Sequence, residues 1–187
     1  MSLGDAGTPV VLTANTILSG NTTGAITLGG TVNGAYSLTV NTTGTTTLSG
    51  DIGGNTALTT LTTNTGGTTV ISVDIETSST QTYNDAVTIN GTLDFTGSTV
   101  QFANTLAGDD GSGDNLTISG ALDLDGAATS LTSLTVEGTS NLGADVTTSS
   151  TQTYSGAVVL SADTTLTTTD SNITFAVTVD GDGTARD

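Results

Sequence analysis

The heptapeptide TSSTQTY stands at Thr77 to Tyr83 and again at Thr148 to Tyr154, an offset of 71 residues, and each copy runs on into an apolar alternation. A chain that repeats itself over such a distance folds by stacking equivalent units rather than by collapsing around one irregular core. The likeness continues on both sides. Downstream, Ala86-Val87-Thr88-Ile89 answers to Ala157-Val158-Val159-Leu160, Val100-Gln101-Phe102 to Ile173-Thr174-Phe175, and Thr105 to Gly108 answers to Thr178 to Gly181. Upstream, Leu58 to Thr62 answers to Leu131 to Thr135, and Leu38-Thr39-Val40 to Leu116-Thr117-Ile118. A partial copy opens the chain: Val10 to Leu12 matches Val87 to Ile89, Ile26 to Leu28 matches Val100 to Phe102, and Thr31 to Gly34 matches Thr105 to Gly108. The organisation expected is one repeat array without a second domain: a partial unit over 1–35, a unit over 36–108 and a unit over 114–181, excerpted from a longer array.

The local pattern decides what each unit is made of. Apolar stretches run three to six residues and alternate with polar ones, as in Ala25-Ile26-Thr27-Leu28, which is the period of a strand. No glycine-free window carries an apolar stripe at helical spacing. Threonine supplies 46 of the 187 residues, and its branched Cβ disfavours helix while suiting a pleated surface. Glycine, asparagine and aspartate cluster between the stretches, where corners need residues that tolerate unusual backbone angles. An antiparallel sandwich and a solenoid both accommodate such a string. The long-period repeat, the scarcity of large aromatics and the tolerance for stacked Thr, Ser and Asn favour the solenoid. The fold predicted is all-β: a right-handed parallel β-helix of about eight turns with essentially no helix, at ~20 to 25 residues per turn, forming a rod of roughly 40 Å.

Composition excludes several classes of function. The formal charge is −17, the only basic side chain is Arg186, and there is no lysine, histidine or cysteine. Nucleic acid and anionic membranes both require clusters of Lys and Arg, so neither is an expected partner. Without cysteine there is no disulfide framework and no thiolate metal site. Apolar runs are too short to span a bilayer, and Met1 to Asp5 lacks the basic and apolar parts of a signal peptide, so any export signal is expected elsewhere. Most of the usual catalytic side chains are absent, histidine, cysteine and lysine among them, and an enzyme is not expected. Alternation puts Asp123 and Asp125 on one strand face, the kind of carboxylate pair that glycoside hydrolysis uses, but no cation accompanies them in the body of the chain to hold an acidic polysaccharide.

Acidic clusters are the remaining chemistry. Asp109, Asp110 and Asp114 lie in a Gly-rich loop, and Asp180, Asp182 and Asp187 occupy the equivalent place one unit later. Closely spaced carboxylates on a loop can supply several of calcium's six to eight oxygens, which makes Asp109, Asp110, Asp114, Asp180 and Asp182 the calcium candidates; no other cofactor is implied. Neither an EF-hand pattern nor a calcium-binding nonapeptide repeat is present, and corner residues that keep a Thr-rich rod soluble would look the same. Thr45 to Thr47, Thr80 to Thr82, Thr151 to Thr153 and Thr167 to Thr169 have the composition of an ice-binding Thr-x-Thr face, although they do not recur at every turn. Tyr83 and Tyr154 are read as partly buried packing residues with the hydroxyl in water, and Gln81 and Gln152 as surface or ladder amides.

TSSTQTY with AVTI or AVVL, GTTTLSG from Gly44 to Gly50, LTTLT or LTSLT, and ITF with TVDG together resemble the Thr-rich β-strand repeats of very large bacterial exoproteins, the filamentous-haemagglutinin-like adhesins and autotransporter passenger regions. The resemblance covers nearly the whole chain. It implies a stalk or shaft segment of a secreted or cell-surface, outer-membrane-associated adhesin-like protein. Its partners would be neighbouring repeats of the same chain, other copies joined end to end, and host or surface glycans reached through other regions. The alternative is a binding module for glycan, ice or calcium, or a self-assembling surface filament, on the same scaffold.

Overall fold

The computed structural model describes residues 1–4, 8–21, 23–110 and 113–183. Every regular element among them is a strand, and every strand pair is parallel. The short alternations wind into a solenoid with three faces. The first face is a nine-stranded sheet that begins with Ser2–Leu3, Ile26–Leu28 and Thr45–Leu48 and ends with Leu166–Thr168. Nine rungs make eight full turns, the number expected from sequence. Hydrogen-bonded partners are separated by 17 residues at the tightest step, Leu131 to Thr148, and by 25 at the widest, Ser2 to Thr27. The shortest turns are therefore tighter than the residue count expected from sequence.

Period-two alternation sends every second side chain inward, where it stacks on its counterpart one turn away. On the second face this generates one uninterrupted apolar column: Val10, Val32, Ile52, Ile75, Phe95, Ile118, Val136, Tyr154 and Phe175. The third face carries Leu18, Val40, Thr63, Tyr83, Phe102, Leu124, Leu142 and Leu160 in register. Tyr83, Phe95 and Phe102 meet across the interior with ring centroids 5.3 to 6.4 Å apart, so the few aromatics concentrate where two columns converge. A parallel sheet buried on its inner face needs such unbroken columns because no turn can form a core alone.

Corners explain the Gly, Asn and Asp content. Asn33 Oδ1 accepts the N–H groups of Asn55 and Thr56, Asn64 Oδ1 that of Thr42, and Asp145 Oδ1 that of Thr165, so a corner side chain satisfies backbone donors about one turn away. Gly53 has a positive φ of 86°, as its turn-like context anticipates. Gly97, Gly120, Gly138 and Gly156 serve another purpose. They stack between the second and third faces, and a Cβ on any of the last three would collide with the carbonyl oxygen of the glycine one turn before. This close approach lets the long strands Thr92–Phe102 and Asn115–Leu124 bend and reset their alternation at the corner.

The sequence repeat is out of step with the turns. Thr80–Tyr83 lies on the third face, whereas the second heptapeptide's Gln152–Tyr154 lies on the second. Ile26–Leu28 is on the first face and its counterpart 100–102 on the third; Val32–Asn33 is on the second and its counterpart Leu106–Gly108 on the first. In each case the equivalent strand comes eleven face positions later, or three and two-thirds turns. Each unit is thereby displaced by one face around the axis from the unit before it.

Candidate functional site: an acidic corner spanning three turns

The connection from the first face to the second normally takes few residues. Two separate Ile89 from Thr92, and one separates Leu131 from Ser133, but six, 109–114, separate Gly108 from Asn115. Neighbouring turns tie this longer corner down. From the turn before, Asn90 Nδ2 donates to Asp109 Oδ2, and the Gly91 N–H donates to Asp114 Oδ1 at 2.8 Å. From the turn after, the Thr132 N–H donates to the Asp114 carbonyl at 2.8 Å, while Thr132 Oγ1 accepts the Gly113 N–H at 2.8 Å. Three successive turns thus meet here.

One carboxylate oxygen from each of Asp109, Asp110 and Asp114 lies within 4.8 Å of the others. Asp109 and Asp110 are exposed, but Asp114 is only 1% exposed. The sequence placed Asp114 in an open loop; the structure folds it inward because Gly108, in the inward-facing column after Ile89, has no side chain to fill that space. The point where a Cβ on Gly108 would sit is 2.6 Å from Asp114 Oδ2 and closer still to the Ser130 carbonyl oxygen. Ser130 takes a positive φ of 56° where the strand register shifts between Ala128 and Leu131. Asp114 Oδ2 is itself buried without a hydrogen-bond partner.

The other acids are arranged differently. Asp180 belongs to the exposed strand Val179–Gly181, in an outward column with Val159, and Asp182 follows it; neither joins a three-acid group among the described residues. The repeat equivalence of this place with 109–114 therefore does not carry over into geometry, and Asp187 lies outside the described residues. Asp123 accepts a hydrogen bond from Asn141 Nδ2 at 2.8 Å, and Asp125 accepts one from Gln101 Nε2 at 3.1 Å, so each has its own amide partner. Two surface depressions, of about 360 and 260 Å³, are lined by Asp51, Ser72, Val73, Asp74, Thr92 and Leu93, and by Ser130, Leu131, Thr147, Thr148, Ser149 and Thr169. Neither includes Asp123 or Asp125.

Several polar side chains are drawn into the interior that apolar–polar alternation alone does not place there. Gln81 and Gln152 are fully buried, and their rung neighbours are Leu61 and Val100, and Leu134 and Ile173, so they are neither surface nor ladder amides. Gln81 Nε2 donates to the carbonyls of Ile75 and Thr96 at 3.2 and 2.9 Å, and Tyr83 OH donates to Gln81 Oε1 at 2.9 Å. Gln152 and Tyr154 repeat the motif with Val146 and Thr167. The tyrosine hydroxyls accordingly reach an amide, not water, and burial pushes both phenols up from their ordinary value. Asp85 is also buried, with the Gly67 N–H on Oδ1 at 2.8 Å and Thr69 Oγ1 on Oδ2 at 3.5 Å; burial raises its carboxyl against these two bonds. Asp94, held by Ser119 Oγ at 3.1 Å, is likewise raised by burial, with the charges of Asp74 and Glu137 adding to the effect.

The Thr-x-Thr segments divide among the faces: Thr45–Leu48 and Leu166–Thr168 on the first, Thr80–Tyr83 on the third, and 151–153 on the second. They do not add up to one flat threonine surface. Compared with protein-family models, curated proteins and solved structures, the chain matches none.

Proposed function

We propose that the chain is a shaft segment of a large secreted or cell-surface, outer-membrane-associated bacterial repeat protein of the adhesin type, and that its role is mechanical rather than enzymatic. The observation that carries this reading is the continuity of the parallel ladders, which run through all nine rungs of the first face and through the apolar column of the second. Stretching such a rod along its axis loads many backbone hydrogen bonds in parallel, a suitable property for a spacer. The one-face rotation of successive units supports the same reading. It distributes equivalent motifs around the rod, which serves a spacer better than a module that presents one repeated surface to a ligand. The charge of −17 opposes lateral association of the rods. Neighbouring repeats are its immediate partners on this reading, with copies joined end to end and glycans met by other regions of the protein further out.

Immunogold labelling of intact source cells with antibodies against residues 113–183 tests the proposal. Gold on projections outside the envelope is the expected result. Label that appears only after permeabilisation, over the cell interior, would overturn it.

A further inference from the structure

We infer that the corner formed by Asp109, Asp110 and Asp114 binds one calcium ion, a property separate from any role of the rod as a shaft. Two oxygens that share a calcium ion at about 2.4 Å stand no more than about 4.8 Å apart, and the three carboxylates already offer one oxygen each within that limit. Proximity of acids alone says little, because exposed acids cluster often. The buried oxygen is the independent observation. Asp114 Oδ2 is shielded from solvent and has no donor, although a carboxylate oxygen withdrawn from water ordinarily acquires one. Elsewhere this fold does satisfy a buried aspartate: both oxygens of Asp85 have partners. A cation beside Gly108 would give Asp114 Oδ2 its missing partner.

Surrounding chemistry selects the ion. The Ser130 carbonyl oxygen crowds the same point beside Gly108 and offers an uncharged ligand from the following turn. All these donors are hard oxygens, with no nitrogen or sulfur, which favours calcium or magnesium over transition metals. Asp109 and Asp110 open to solvent, leaving room for water to complete a large and irregular shell; calcium accepts this, whereas magnesium demands a near-ideal octahedron. The protein cannot easily supply the countercharge itself, since its only basic side chain is Arg186. A bound ion would join the turn of Asp109 to Asp114 with that of Ser130, close to the existing ties from Asn90, Gly91 and Thr132. The ion would then staple these two turns together, beside the hydrogen bonds that tie the turn before to the same corner.

Isothermal titration of the whole chain with CaCl2 in about 0.15 M NaCl tests the inference, because that salt concentration suppresses diffuse attraction to the acidic surface. The expected result is one equivalent bound with Kd of about 10⁻⁴ to 10⁻³ M, the range of open, solvent-facing sites, and weaker binding of MgCl2. Asp109→Asn with Asp110→Asn, at two exposed positions that spare the interior, should weaken calcium binding at least about ten-fold and leave the circular dichroism spectrum unchanged. Asp180→Asn with Asp182→Asn removes the same charge elsewhere and should leave binding intact. Absence of saturable binding to the unaltered chain up to about 10 mM would overturn the inference. So would equal weakening by the two double variants, since only net charge would then matter.

Discussion

Replacing Gln81 separates the contribution of the repeated heptapeptide to the interior from its contribution to the surface. Gln81 is fully buried, and its side chain bridges the Ile75 and Thr96 carbonyls and the Tyr83 hydroxyl. In Gln81→Ala the Tyr83 hydroxyl remains buried without its acceptor, two carbonyls lose a donor, and a cavity opens between rungs. An unsatisfied buried hydroxyl costs about 1–3 kcal/mol, and with the lost packing the variant should be destabilised by about 3–5 kcal/mol. Tyr83→Phe keeps the ring in contact with Phe95 and Phe102 and strands only the Gln81 Oε1 atom, costing about 1–2 kcal/mol. In the double variant there is no hydroxyl left to strand. It should be no less stable than Gln81→Ala alone, so the summed single effects exceed the measured double by about 1–2 kcal/mol. Urea unfolding followed by the β-sheet circular dichroism band measures all three, with Tyr36→Phe, at an exposed position, as a control expected within about 0.5 kcal/mol of the parent. Strict additivity, or a Gln81→Ala effect as small as that of Tyr36→Phe, would refute the buried Gln–Tyr unit.

Gly138→Ala should destabilise the rod by about 2–3 kcal/mol, because its Cβ collides with the Gly120 carbonyl one turn away; Gly91→Ala, with open space around its Cβ but a φ of 98°, incurs only the backbone strain, and thermal unfolding of the two variants should rank them in that order. Asp85 has a folded-state carboxyl raised above its ordinary value of 3.8 by burial. Its protonated form therefore favours the fold fully below that value, and this contribution is lost as pH rises through the folded-state value. Asp85→Asn, which retains an acceptor for the Gly67 N–H, should raise the urea midpoint relative to the parent at pH 7, with the gain shrinking toward pH 4. A gain that is constant across this range would contradict the linkage.

Much of this protein could be read from sequence because its strongest signals are local and periodic. Alternation such as Ile26-Thr27-Leu28 specifies an inward and an outward side chain wherever a strand forms, and the 71-residue recurrence of TSSTQTY specifies stacking. All-β structure and parallel winding follow from those two facts, and a general turn length of ~20 to 25 residues then gives about eight turns. The lengths of the corners do not follow, and they determine how many residues one turn consumes. The unit accordingly spans three and two-thirds turns, so Tyr83 and Tyr154, identical in sequence context, stand on different faces. The fate of the acids was decided in the same way. Asp109, Asp110, Asp180 and Asp182 look alike as corner residues, but only the first pair meets a third carboxylate among the described residues. What distinguishes them is Gly108, which leaves a vacancy in an inward column, and a six-residue corner long enough for Asp114 to turn back into it. Burial is nonlocal in part: Gln81 meets Ile75 and Tyr83 within its own turn, but the Thr96 carbonyl that takes its second N–H comes from the next. Sequence alone determined the strand, the stack and the outward charge, since these depend on side-chain alternation and composition. Which residues share a face, and which acid is withdrawn from water, depended on register between turns, a property that arises only when the chain returns upon itself.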